Sequence, residues 1–168
     1  MEPQLQKGDI ILVRGKPKNL LSNLISKVTD SPYSHAGCYV GKDEYGIQMI
    51  IESSWGGVQL SPIDKYWGRW DAFRYHEGLN EAQASSIFTW LAFQLEKGYD
   101  YGGLLGIGMS LLRRKQINPW DNKSRYWCSE LVADAYLNSN FLLDCGVDTW
   151  NVSPGDLARM KIFKKVDH

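Results

Sequence analysis

From Ser34 to Ser54 the chain reads SHAGCYVGKDEYGIQMIIESS. Two β-type runs, SHAGCYVG and GIQMIIESS, flank the turn-rich GKDEYG, so the stretch is expected to form a hairpin. Strand side chains alternate. His35, Gly37 and Tyr39 therefore share one face of the first run, and Ala36, Cys38 and Val40 share the other. In the second run Glu52 lies on the same face as Ile50 and Gln48, among strongly apolar neighbours. A carboxylate in a half-buried strand is costly unless it is paired. An imidazole on the adjacent strand is one such partner; an edge position where Glu52 reaches water is the other reading. Gly37 leaves space beside His35 for a second group to approach.

Upstream, GDIILVRG reads as a first strand ended by Gly15. KPKNLLSNLISKVTDSP follows with Leu20, Leu21, Leu24, Ile25 and Val28 at helical spacing, Pro17 in the first turn and Asp30-Ser31-Pro32 as the stop. Downstream, GVQLSPI and WDAFRYH are expected to add strands to the same antiparallel sheet. Asn80, with Gln83 three residues on, opens a helix with a capping box. Its expected inward stripe is Ala84, Ile87, Phe88, Leu91 and Leu95, and Gly98 is its expected end. VSPGDLARM reads as a short helix capped by Ser153 with Pro154 first, and KIFKKV as a closing edge strand. Strands come first, helices after, and one strand ends the chain. This order predicts an α+β domain with helices packed against an antiparallel sheet.

SRYWCSELVADAY, Ser124 to Tyr136, starts another helix at Cys128, with Leu131, Val132, Ala135 and Tyr136 spaced for one buried face. A thiol in the first helical turn feels the positive end of the dipole, which favours thiolate, and the free N–H groups there suit an oxyanion. The bland reading is a buried cysteine in a core. A nucleophilic cysteine needs a base within reach. Of the three histidines, His168 is terminal, His76 reads as a solvated loop residue, and His35 begins the strand that faces Glu52. Cys128, His35 and Glu52 thus fit one geometry: nucleophile, base and orienting carboxylate.

GDI, SHAGCYVG, IIES, YDY and YWCSELVADAY, in that order, with the closing SPGDLA, resemble the circularly permuted papain-like hydrolases. This is the permuted branch of the NlpC-type superfamily, which holds the YiiX-like proteins and relatives of lecithin–retinol acyltransferase. In ordinary papain-like enzymes the cysteine helix precedes the histidine strand; in this branch, as here, the strand comes first. The resemblance spans Gly8 to about Lys164. It implies a permuted papain-like fold, a barrel-like antiparallel sheet against helices with the catalytic cysteine at a helix N-terminus. It also implies Cys128 as nucleophile, His35 as general base and Glu52 as third member, with no metal or organic cofactor. Tyr99 or Tyr101, in YDY, would line the site or assist the oxyanion. In the acyltransferase relatives the third residue is usually a second histidine, so Glu52 points to the YiiX-like side.

Composition sets the outer limits. At 168 residues the chain fits one domain, 1–168, by a prior of roughly 100–200 residues per domain. Lys+Arg and Asp+Glu are balanced at 19 each, which gives no argument for nucleic acid or an anionic membrane as partner. Three cysteines without CxxC spacing argue against a disulfide framework or a structural zinc site. MEPQLQKGDI has no signal-peptide pattern and no run approaches the ~18 apolar residues of a span, so the expected location is cytoplasmic. Seven Trp and nine Tyr supply either an aromatic core or a substrate groove, with Trp55 and Trp127 among the groove candidates. The expected substrate is a peptide, an amide or an acylated small molecule, with cell-wall-type peptides as one class. A lipid-directed thioesterase or acyltransferase is the alternative. YGGLLGIGMSLLRRK would then give an apolar channel or membrane-facing edge rather than packed core. A non-catalytic binding module of the same fold is the third reading.

Overall fold

The computed structural model describes residues 4–16, 27, 29–99, 125–141, 143 and 148–166. Its main layer is a six-stranded sheet of β1 (Ile10–Arg14), β2 (Tyr33–Lys42), β3 (Gln48–Ser54), β4 (Gly57–Pro62), β5 (Trp70–Tyr75) and β8 (Phe163–Lys165). The order is β4-β3-β2-β1-β5-β8, and every neighbouring pair is antiparallel. Both faces are apolar, because the central strands alternate between two clusters. Ile10, Leu12, Ala36, Cys38 and Ile51 face one, while Ile11, Val13, Tyr39 and Ile50 face the other. The lysine-bearing β8 occupies a sheet edge, where its charges discourage further pairing.

The β2–β3 hairpin forms as its sequence requires. Asp43 Oδ1 accepts from the N–H groups of Tyr45 (2.9 Å) and Ile47 (2.8 Å), an Asx-type turn. Near its start β2 carries an extra residue: Val13 pairs with His35 and Arg14 with Tyr33, so Ser34 is unmatched. Such a bulge twists a strand and re-aims the next side chain, which is His35.

Between β4 and β5 lies a 3-10 turn, Ile63–Tyr66, where the strand pattern gives no warning of one. Ile63 is buried in the second cluster and anchors it. The first described helix, α1 (Glu81–Ala92), has the expected capping box, with both Asn80–Gln83 bonds at 2.9 Å. Its buried face is narrower than expected. Ile87 and Leu91 are buried, Ala84 is half-buried, and Phe88 and Leu95 are exposed. Trp90 packs on the core in their place, since the stripe runs through 87, 90 and 91. Nor does Gly98 end this helix. Glu96, with φ 70°, turns the chain so that Glu96 N–H donates to Val58 O and Val58 N–H to Lys97 O. Gly57 permits that approach, because a Cβ there would lie 2.3 Å from Lys97 O. Gly98 instead belongs to a two-residue parallel pair of β6 (Gly98–Tyr99) with β7 (Arg125–Tyr126).

Helix α2 (Cys128–Asn138) buries Leu131, Val132, Ala135 and Tyr136 as expected and packs over β2 and β3. Its far end is tied to the start of β1 by Tyr136 O–H donating to Gly8 O at 2.5 Å. Helix α3 (Pro154–Arg159) is capped by Ser153, whose Oγ accepts from Asp156 N–H. The body of the helix expected at 17–28, the YGGLLGIGMSLLRRK segment and Cys145 lie outside the described residues. Among the described residues no helix is long and apolar enough to cross a membrane.

Candidate active site

The second face of the sheet carries the polar cluster. Glu52 on β3 is fully buried, and its Oε2 lies 2.7 Å from His35 Nε2 on β2. Its register partner is Gly37, two residues from His35, so the side chain reaches diagonally across the pair. Gly37 is what leaves that path open. A Cβ there would sit 3.3 Å from Glu52 Cβ and 3.1 Å from Ile50 Cδ1, closer than ordinary packing.

Two further donors reach the same carboxylate from the 3-10 turn. Tyr66 O–H donates to Glu52 Oε2 at 2.7 Å, and Lys65 Nζ donates to Glu52 Oε1. Lys65 Nζ is also 3.0 Å from Ser61 Oγ on β4. The Tyr66 ring lies 5.4 Å from the His35 ring, tilted by 41°. Sequence reasoning passed over Lys65 and Tyr66. The signal that finds them is the buried glutamate itself, which needs more than one donor, followed by the cation- and aromatic-rich DKYWGR linker.

The charges follow from these contacts. Burial alone would raise the Glu52 carboxyl, but bonds and charge from His35, then bonds from Lys65 and Tyr66, bring it down to about 2. Glu52 is therefore an acceptor only, so His35 Nε2 carries the hydrogen and Nδ1 is the nitrogen left for a second partner. Cys128 is the other group whose charge acts on this ring. Burial disfavours the imidazolium. The negative charge and hydrogen bond of Cys128, then those of Glu52, outweigh it and hold His35 above its ordinary value. Burial, and the charge on Glu52, push the Tyr66 hydroxyl far up, so it stays a neutral donor.

Cys128 is the first residue of α2, with Trp127 in extended conformation as its N-cap. The Glu130 carboxylate accepts from Trp127 N–H at 3.3 Å, half of a capping box, since an indole has no oxygen to return the bond. The opening N–H groups of α2 have no acceptor within the helix and stand beside the thiol. The approach to Cys128 is held from β3: Ser53, next to Glu52 but on the opposite face, donates to Tyr126 O at 2.6 Å.

The structure joins His35 to Glu52, and Cys128 acts on the same imidazole. The aromatic candidates separate. Trp127 is buried in the core cluster. Trp55 is 82% exposed at the β3–β4 tip, so it caps no core. Tyr99 contributes backbone to β6, and Tyr101 lies outside the described residues. His76 is exposed and stacks on Tyr75 at 5.1 Å. Cys38 is a buried thiol that burial, with the charge of Asp9, pushes up, away from thiolate.

Comparison with known proteins gives a consistent result. The family model of the permuted papain-like amidase enzyme, YaeF/YiiX, C92 family, matches residues 4–144. The probable lipoprotein peptidase YaeF of Escherichia coli K12 is 23% identical over 187 aligned residues, covering 95% of this chain and 65% of the relative. The chain thus spans a little under two thirds of that protein's length. A crystal structure of the metalloprotein YiiX from Escherichia coli O157:H7 superposes with a TM-score of 0.70 at 19% identity. It covers 98% of this chain and 97% of that one. "Metalloprotein" describes that relative. In this chain the Glu52 oxygens accept from His35, Tyr66 and Lys65. Among the described residues no group of three or more His, Cys, Asp or Glu side chains is placed to hold a metal ion. The sheet, the histidine strand that precedes the cysteine helix, and the match across residues 4–144 together make this chain a member of the permuted papain-like amidase family, the YaeF/YiiX, C92 group.

Proposed function

We propose that the protein hydrolyses an amide or peptide bond, with Cys128 as nucleophile, His35 as base and then acid, and Glu52 as the orienting carboxylate. The observation that carries the proposal is the 2.7 Å bond from His35 Nε2 to Glu52, which leaves Nδ1 of the same ring available to a nucleophile. The thiolate attacks the carbonyl carbon, and the Cys128 backbone N–H at the start of α2 receives the developing oxyanion. The imidazolium gives its proton to the leaving amine as the C–N bond breaks, and a thioester forms. Water, deprotonated by the now neutral imidazole, attacks the thioester; the acid leaves and the thiolate–imidazolium pair returns. The relative's name, a peptidase, supports a peptide over an ester substrate.

Parallel panels of wall-type peptides and acyl esters, with Cys128→Ala as control, test this reading. Peptide turnover lost in Cys128→Ala is the expected result. Ester turnover alone would move the assignment to a thioesterase or acyltransferase, and inactivity on both panels would favour a binding module.

A further inference from the structure

Glu52 receives hydrogen bonds from three residues, and the triad accounts for one of them. The other two come from adjacent positions of a single turn. Neighbouring residues of a 3-10 helix point about 120° apart. Lys65 and Tyr66 can therefore take different oxygens of one carboxylate, and they do: Oε1 and Oε2. The turn is fixed beneath them by buried Ile63 and by Trp67 N–H donating to Asp64 O at 3.0 Å. Ser61 on β4 gives Lys65 a second anchor.

Charge counting shows what Lys65 adds. A thiolate, an imidazolium and a carboxylate sum to one uncompensated negative charge in an enclosed site. The ammonium of Lys65 cancels it, and its side chain is one-third exposed, so it keeps part of its hydration while Glu52 keeps none. Tyr66 does something different. It occupies the same oxygen as His35, so it divides the electron density that Glu52 can offer to Nε2–H.

We propose that Lys65 and Tyr66 are positioning residues of the site. Lys65 balances the charge that lets the Cys128–His35 ion pair form, and Tyr66 fixes the Glu52 oxygen facing His35 and limits its hold on the imidazolium. This rests on the Cys128–His35–Glu52 reading. The charged and titratable groups concerned are His35 from β2, Glu52 from β3, Cys128 from α2 and the two turn residues. Arg69 lies 5.8 Å from the outer part of this cluster, over the Tyr66 ring.

The test is the pH profile of Cys128 alkylation by iodoacetamide in the full chain, which needs no substrate. Lys65→Gln keeps a donor and removes the charge; it is expected to move the acid limb up by about one pH unit. Lys65→Arg is expected to restore it. Tyr66→Phe is expected to move the alkaline limb up and leave the acid limb in place. Unmoved limbs in both variants, with His35→Ala and Glu52→Gln still altering the profile, would overturn the proposal and spare the triad. A wild-type profile retained in His35→Ala would overturn the triad and this proposal with it.

Discussion

The carboxylate of Glu52 meets the imidazole of His35 at 2.7 Å although its partner in the sheet register is Gly37. An absent side chain on β2 is what permits the diagonal. Gly37→Ala is therefore expected to cost about 1–3 kcal/mol of stability, as overpacking does. It is expected to lower turnover further than that loss explains. Thermal melts beside steady-state kinetics measure both, and a variant with wild-type turnover would show that the space at Gly37 is not what aligns the pair.

Glu52→Gln keeps the volume of the side chain but removes the charge that holds His35 Nε2–H. We predict a fall in kcat of about 10²- to 10⁴-fold with little change in KM, since the imidazole loses its orientation and its stabilised charged form. A change confined to KM would place Glu52 in substrate binding instead.

Stability should depend on pH in a way that identifies the same pair. The Glu52 carboxyl is held down from 4.5 to about 2, so its contribution is complete above about pH 4.5 and is lost as pH falls through about 2. His35 is held above its ordinary 6.5, so its contribution is complete below about pH 6.5 and is lost as pH rises through the raised value. The difference in melting temperature between wild type and Glu52→Gln is expected to be greatest between those two limits. A difference that stays flat across pH would count against a charged pair.

Selective alkylation distinguishes the thiols. Cys38 is buried and disfavoured as thiolate, whereas Cys128 stands at a helix start beside an imidazolium. Iodoacetamide at neutral pH is expected to modify Cys128 first, with Cys38 reacting only after denaturation. Mass spectrometry of the peptides gives the answer, and equal labelling of Cys38 would remove the claim of a privileged thiolate.

Ser53→Ala removes the donor to Tyr126 O, a hydrogen bond worth about 0.5–1.5 kcal/mol. Because that carbonyl belongs to the segment leading into Cys128, alkylation of Cys128 is expected to slow while the β2–β3 hairpin keeps its amide protection in hydrogen exchange. Unchanged alkylation would show that β3 does not locate the nucleophile through this bond.

The strands of the sheet were legible because alternation and turn chemistry agree along β2 and β3, and the caps at Asn80 and Ser153 are local hydrogen-bond patterns. Legibility failed where the decisive contact is distant in sequence. The turn that follows α1 is held by Val58 bonding Glu96 and Lys97, which lie far from it in sequence, and not by the next glycine. Phe88 fits a helical stripe but lies beyond the narrow strip that faces α2. At the site, the pairing of His35 with Glu52 could be read from one hairpin. Lys65 and Tyr66 could not, because nothing in IDKY itself says that the turn folds back over β3. Trp127 could be read as groove wall or as core from its place beside a cysteine, and its ring is buried with the core cluster.

His35, Glu52, Lys65 and Tyr66 all ride on the sheet and its connecting turn, whereas Cys128 arrives on a helix whose other end is bonded to Gly8, 128 residues away in the chain. The two halves therefore have different folding requirements. A β-meander forms from near neighbours, but the thiol meets its imidazole only after contacts that span most of the chain have closed. Cys128 is thus a folding gauge as well as a reactive residue. Its alkylation rate reads out completion of the tertiary structure, and a half-folded chain would carry the acid–base machinery with nothing yet to activate.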